Sequence, residues 1–114
     1  MTGVTGRVAL ITGAGSETGI GFAAACRLAR EGAHVAITST TDRIYQRAQS
    51  ASAGSARVKG YPADLMQRDQ VKKLVDSVMG DFGRIDILVN NAGMAQVGKE
   101  ETFVHLVELP PSEW

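Results

Sequence analysis

The chain has 114 residues, 44% of them hydrophobic, and its 12 basic side chains balance 12 acidic ones for a net charge of zero. That length suits one compact domain, and the balanced charge argues against nucleic acid or an anionic membrane as the main partner. A single cysteine, Cys26, excludes an internal disulfide and a cysteine-based zinc site, and no apolar run approaches the roughly 20 residues that span a bilayer.

The N-terminal stretch carries one Arg before an apolar run too short for a signal peptide, so a cytoplasmic protein is expected. Arg7–Thr12, "RVALIT", is bounded by glycines and predicts a buried strand. A glycine-rich turn follows, "TGAGSETGIG" over Thr12–Gly21. Gly19–Glu31 predicts a helix: Ile20, Ala23, Ala24 and Leu28 recur on one face, and Gly32 supplies the stop. Cys26, among alanines on this helix, reads as packed rather than reactive. His34–Ser39, "HVAITS", predicts a second strand, with His34 at the surface. Asp42–Ser52 is polar and compatible with a helix, and a third strand is expected near Arg57–Tyr61. Gln67–Phe82 predicts a helix with Val71, Leu74, Val75 and Val78 on one face. Ile85–Asn90, "IDILVN", is a fourth strand, apolar enough to be central. Residues 94–110 have weak periodicity; His105 lies there among glutamates without metal-ligand spacing. In "PPSEW", Pro111 suits a first helical turn, Ser112 a cap and Glu113 the positive end.

Strands alternating with helices predict an α/β fold. The expected form is a Rossmann-like doubly wound parallel sheet with strand order 3-2-1-4. A fourth strand with an open edge and a helix only begun at Trp114 predict that residues 1–114 are the N-terminal part of a larger single domain.

The glycine-rich turn is where chemistry is expected. A phosphate loop needs a tight turn after a strand, backbone that can approach an anion, and a helix N-terminus aimed at it. Gly13, Gly15, Gly19 and Gly21 lie at that junction, Ser16 and Thr18 offer hydroxyl donors, and Ala23 and Ala24 let the helix sit close to the sheet. The competing reading is a glycine-rich turn that binds nothing. Four glycines in ten residues carry an entropic penalty that a plain turn does not require.

These residues resemble the short-chain dehydrogenase/reductase family over nearly the whole chain, which corresponds to about the first half of a family domain. Thr12, Gly13, Gly19 and Gly21 match the family's T-G-x-x-x-G-x-G loop, with five residues, "AGSET", where the pattern has three. "NNAG", Asn90–Gly93, matches the strand-four motif, and Asp64–Leu65 the adenine-side position. "GRIDILVNNAG" as a whole is highly specific. The resemblance implies a nicotinamide dinucleotide held by the loop (Thr12, Gly13, Gly15, Ser16, Thr18, Gly19, Ile20 and Gly21), by Asp64 and Leu65, and by Asn91, Ala92 and Gly93. Asn90 is implied to tie the central strands together. The two extra loop residues are expected to bulge outward, with Glu17 facing solvent, because extension at a loop tip costs little closure entropy.

Cofactor choice is expected at the end of strand two, where an acid would bind the ribose hydroxyls of NAD. Ser39, Thr40, Thr41, Asp42 and Arg43 stand there instead, which favours NADP, with NAD as the alternative. Arg43 either holds a 2′-phosphate or is a solvated helix-start residue, and Asp42 is a candidate helix cap. Asp64 either accepts from the adenine amino group or caps the next helix.

The family's catalytic Asn, Ser, Tyr and Lys lie beyond its fourth strand. Tyr45 and Tyr61 are followed four residues later by Gln49 and Leu65, not Lys, so no residue here is assigned to catalysis. The implied function of the intact protein is carbonyl reduction or alcohol oxidation on a small molecule, with a homo-oligomer as the usual family state. "GAHVAITSTT" and "FGRIDILVNNAG" are most similar to bacterial 3-oxoacyl-acyl-carrier-protein reductases of fatty acid synthesis, which implies an acyl thioester substrate. The alternative is a nucleotide-binding module without chemistry of its own.

Overall fold

The structure is a computed structural model and describes residues 3–92. Seven elements alternate: β1 (Val8–Thr12), α1 (Ile20–Arg30), β2 (His34–Ser39), α2 (Arg43–Ala51), β3 (Val58–Pro62), α3 (Arg68–Phe82) and β4 (Ile87–Val89). The strands form one parallel sheet in the order β3-β2-β1-β4. In register, Ile11 lies opposite Ile37 and Leu10 opposite Leu88. The expected doubly wound topology is therefore present.

Side chains alternate across the sheet, and each face meets its own helix layer. Ile11, Val35 and Ile37 pack with Ala25 and Ala29 of α1 and Ile44 and Ala48 of α2. Leu10 and Ala36 point the other way and pack with Leu74 and Val78 of α3. β1 is buried along its whole length because it has strands on both edges and apolar cover on both faces.

The helix faces depart from the sequence reading. In α1 the buried stripe is Gly21, Ala25 and Ala29, while Ile20 is 78% exposed and Ala23 also faces out. The smallest side chains meet the sheet, so the helix axis lies closer than a stripe of larger residues would permit. Ala24 and Leu28 flank the stripe, partly buried. In α3, Leu74 and Val78 are buried, but Val75 is turned outward. α1 ends as expected at Gly32 (φ +92), whose N–H donates to Ala29 while that of Ala33 donates to Leu28. This pair of hydrogen bonds satisfies the last carbonyls and needs a left-handed residue at Gly32.

His34 differs too: it is half-buried, and its Nδ1 accepts the Arg57 N–H at 2.9 Å. β4 is three residues long instead of six. Before it, the Asp86 carboxylate takes the Val8 N–H at 2.9 Å; after it, side-chain bonds replace the ladder. The expectations for Gly93, residues 94–110, His105 and the Pro111–Trp114 helix start lie outside the described residues.

Candidate functional site

A cleft of about 440 Å³ opens at the carboxyl ends of the strands. It is lined by Gly13, Gly15 and Ser16 after β1, Thr38, Ser39, Thr40 and Arg43 around the end of β2, Ala63 and Leu65 after β3, and Asn91 and Ala92 after β4. β2 lies on one side of β1 and β4 on the other, so the chain leaves the sheet in opposite directions here. Such a switch point is where open α/β sheets bind ligands. The volume falls within the roughly 300–1,000 Å³ typical of small-molecule sites.

The loop geometry follows from its glycines. Gly13 has φ +69, and a Cβ there would lie 2.9 Å from the Ala92 Cα. A Cβ on Gly15 would lie 2.8 Å from the Ser39 Cβ. The first two strands and the strand-four turn thus converge only because these positions lack side chains. Gly19 is the N-cap of α1 in extended conformation, with no side-chain cap and no acid in the first turn. The helix therefore presents its positive end and uncapped N–H groups beside the loop, the arrangement that favours an anion.

The extra loop residues form a closed turn, with the Gly19 N–H donating to the Ser16 carbonyl at 3.0 Å and the Ser16 and Thr18 hydroxyls 3.2 Å apart. Glu17 points outward as expected and meets Arg47 of α2 at 3.3 Å. Arg47 also donates from Nε to the Gly15 carbonyl at 3.2 Å. Sequence reasoning missed this residue. The available signal was its spacing of four from Arg43, which puts both cations along one side of α2.

At the end of β4, the Thr12 hydroxyl accepts the N–H groups of Asn91 (3.0 Å) and Ala92 (2.9 Å) and faces the Val89 carbonyl at 3.5 Å. The Asn91 amide donates to the Gly13 carbonyl at 3.2 Å. Of the two asparagines it is Asn91 whose side chain joins the end of β4 to the loop after β1, beside the Thr12 bonds; Asn90 is exposed and makes no such bond among the described residues. The physical reason is strand alternation: Asn90 points away from the loop, and the next residue turns towards it.

At the end of β2, the Ser39 hydroxyl donates to the Thr41 carbonyl at 3.3 Å, and Arg43 Nε donates to the Thr41 hydroxyl at 3.3 Å. No carboxylate pairs with Arg43 among the described residues. Asp42 holds the N-cap position of α2 without a side-chain cap bond. Asp64 does not cap α3, whose N-cap is Gln67; its carboxylate closes a local turn by accepting the Met66 N–H at 3.0 Å.

Of the residues expected at the cofactor, Gly13, Gly15, Ser16, Ser39, Thr40, Arg43, Leu65, Asn91 and Ala92 line one cleft. Thr12, Thr18, Gly19, Ile20, Gly21 and Asp64 do not line it. Thr12 and Gly21 lie behind it: a Cβ on Gly21 would reach 2.7 Å from the Asn91 Nδ2. Thr38 and Ala63 line it without having been anticipated. Their signal was position alone, one residue before and after a strand end.

Tyr61 faces α3, away from this cleft. Its hydroxyl donates to Asp81 at 2.6 Å, and Lys59 pairs with the same carboxylate at 2.7 Å. Burial first, and then the Asp81 bond, push the phenol well above the ordinary tyrosine range. That is the wrong direction for proton transfer near neutral pH. Tyr61 also lines a second cleft, about 620 Å³, between β3 and α3.

Residues 7–109 match the short chain dehydrogenase family. D-beta-hydroxybutyrate dehydrogenase of Cupriavidus necator is 36% identical over 112 residues, 97% of this chain and 40% of that protein. A 3-oxoacyl-[acyl-carrier-protein] reductase of Thermotoga maritima is 40% identical over 92 residues, 80% of this chain and 37% of that protein. Among solved structures, L-sorbose reductase from Gluconobacter frateurii, complexed with NADPH and L-sorbose, superposes with a TM-score of 0.76. It is 38% identical, over 98% of this chain and 40% of that one. NAD+-bound xylitol dehydrogenase gives 0.74 at 38% identity, over 81% of this chain and 35% of that one. The chain thus spans about 40% or less of the length of these proteins.

Proposed function

The chain belongs to the short-chain dehydrogenase family, and from that premise we propose that it supplies the dinucleotide-binding part of an NADP(H)-dependent oxidoreductase acting on small carbonyl or alcohol substrates. The observation that carries the proposal is the single cleft in which the glycine-rich loop, the Ser39–Arg43 turn and the end of β4 meet. Its residues fit a dinucleotide. Gly13 and Gly15 bring the backbone close and Leu65 gives an apolar wall for a base, while the uncapped start of α1 behind the loop adds its positive end. Arg43, free of a carboxylate partner among the described residues, would take a 2′-phosphate, with the Ser39 and Thr40 hydroxyls beside it. The nicotinamide, when bound, supplies the hydride.

NADP is favoured over NAD because no acid stands at the cleft end of β2. Related proteins of known structure hold either form, so the preference rests on Ser39, Thr40 and Arg43 alone. The chain's own residues bind and orient. Proton transfer is assigned to groups other than Tyr45 and Tyr61: Tyr45 is exposed on α2, and Tyr61 is engaged by Asp81. A 3-oxoacyl thioester is the proposed substrate class, by likeness to the Thermotoga maritima reductase. Calorimetric titration of the whole protein with NADPH and NADH tests the cofactor reading, and NADPH oxidation with an acetoacetyl thioester tests the substrate. NADPH binding without turnover of any carbonyl would support a nucleotide-binding module instead. Equal or tighter NADH binding would remove the role given to Arg43.

A further inference from the structure

Arg47 grips the glycine-rich loop from outside the cleft. Its side chain is 15% exposed, and its guanidinium lies 6.0 Å from the Phe22 ring centroid. From there it donates to the Gly15 carbonyl and to Glu17. Gly15 and Ser16 line the cleft; Arg47 and Glu17 do not. Two electrostatic problems of an anion site are solved together. The Gly15 carbonyl oxygen, which would repel a phosphate if it turned inward, is held towards α2. Glu17, the only charged residue between Thr12 and Gly21, is neutralised and held outward.

We propose that Arg47 and Glu17 form a latch that fixes the five-residue turn in its binding shape, making Arg47 a positioning residue for the cofactor. This rests on the dinucleotide reading of the cleft. An exposed ion pair alone contributes little. Here most of the Arg47 side chain is buried and its guanidinium bridges two acceptors with a fixed fork, a geometry that lysine cannot reproduce. Without Arg47, the carboxylate of Glu17 would be free beside Ser16, which lines the cleft, where it would oppose a bound anion.

The test uses the whole protein with Arg47→Ala, Arg47→Lys, Glu17→Gln and the Arg47→Ala/Glu17→Gln double variant. Amide hydrogen exchange of residues 14–18 is read without cofactor, and NADPH affinity by calorimetry. Arg47→Ala should speed exchange in the loop while leaving the β1 and β2 amides unchanged, and should weaken NADPH binding about tenfold, the scale of a lost charged hydrogen bond. Adding Glu17→Gln should restore part of that affinity by removing the loose acid, an effect that simple loss of packing would not produce. Arg47→Lys should stay closer to Arg47→Ala than to the native protein. Unchanged loop exchange in Arg47→Ala, or a loss of affinity that Glu17→Gln leaves untouched, would overturn the proposal. If the native protein bound neither NADPH nor NADH, the functional reading would fall, and loop exchange would decide on the latch by itself.

Discussion

Replacing Thr12 with valine keeps the volume and shape of a buried side chain and removes only its hydroxyl. That oxygen accepts two N–H groups, from Asn91 at 3.0 Å and Ala92 at 2.9 Å. A buried donor left unsatisfied costs about 1–3 kcal/mol, so two orphans would suggest several kcal/mol. The surroundings reduce this. The Asn91 N–H also lies 3.1 Å from the Val89 carbonyl and keeps a partner. Ala92 is exposed, so its N–H can turn to water. The 3.5 Å contact to the Val89 carbonyl is at the limit of a hydrogen bond and adds little. The expected loss is therefore about 1–2 kcal/mol, read by urea unfolding of the whole protein as a lower midpoint with an unchanged slope. Asn91 and Ala92 line the cleft, so NADPH affinity should fall several-fold as well. A stability change under about 0.5 kcal/mol, the size of an inconsequential surface substitution, would refute the claim that Thr12 holds the end of β4 to β1.

Arg43→Ala should weaken NADPH about tenfold, as loss of a charge-assisted phosphate contact would, and leave NADH nearly unchanged; calorimetry of both cofactors checks this. Gly15→Ala should weaken both dinucleotides at least several-fold with a smaller loss of stability, because its new Cβ, 2.8 Å from the Ser39 Cβ, moves a cleft residue rather than straining φ. The Lys59 bond first, and then that of Tyr61, hold Asp81 below the ordinary carboxylate range. Its contribution to stability is present above the unfolded value near pH 4 and is lost as pH falls through the lower folded value. Asp81→Asn should flatten the acid limb of a stability-against-pH curve. Tyr61 has the opposite sense: its raised value gives stability present below about pH 10 and lost as pH rises towards the folded value. Tyr61→Phe should remove that alkaline slope.

The order of elements was legible because β1 and β2 are nearly pure apolar runs and the α3 segment has a clear helical period. Strand order followed from right-handed crossovers. The buried face of α1 was not legible from hydrophobicity, because contact with the sheet selected Gly21, Ala25 and Ala29 for size rather than apolarity. Within the cleft, the glycines and the Ser39–Arg43 turn stood out because their backbone and charge requirements are local. Arg47 did not stand out, and Thr12 did so only as a loop residue, not as the hydroxyl that holds the end of β4. Each acts through partners about 30 or 80 positions away, which only the folded chain brings near. The Asn90–Asn91 exchange of roles has the same origin, since one residue of register decides which amide meets the loop.

In the proposed binding mode the dinucleotide lies at the carboxyl ends of β1, β2 and β4. The direct measurement is the set of backbone amide shifts of the whole protein during titration with NADPH. Saturable changes are expected at Gly13, Gly15, Ser16, Thr38–Thr40, Leu65 and Asn91–Ala92, which wall the 440 Å³ cleft. Changes concentrated instead at Lys59, Tyr61, Lys73 and Ser77, around the second cleft between β3 and α3, would contradict the account.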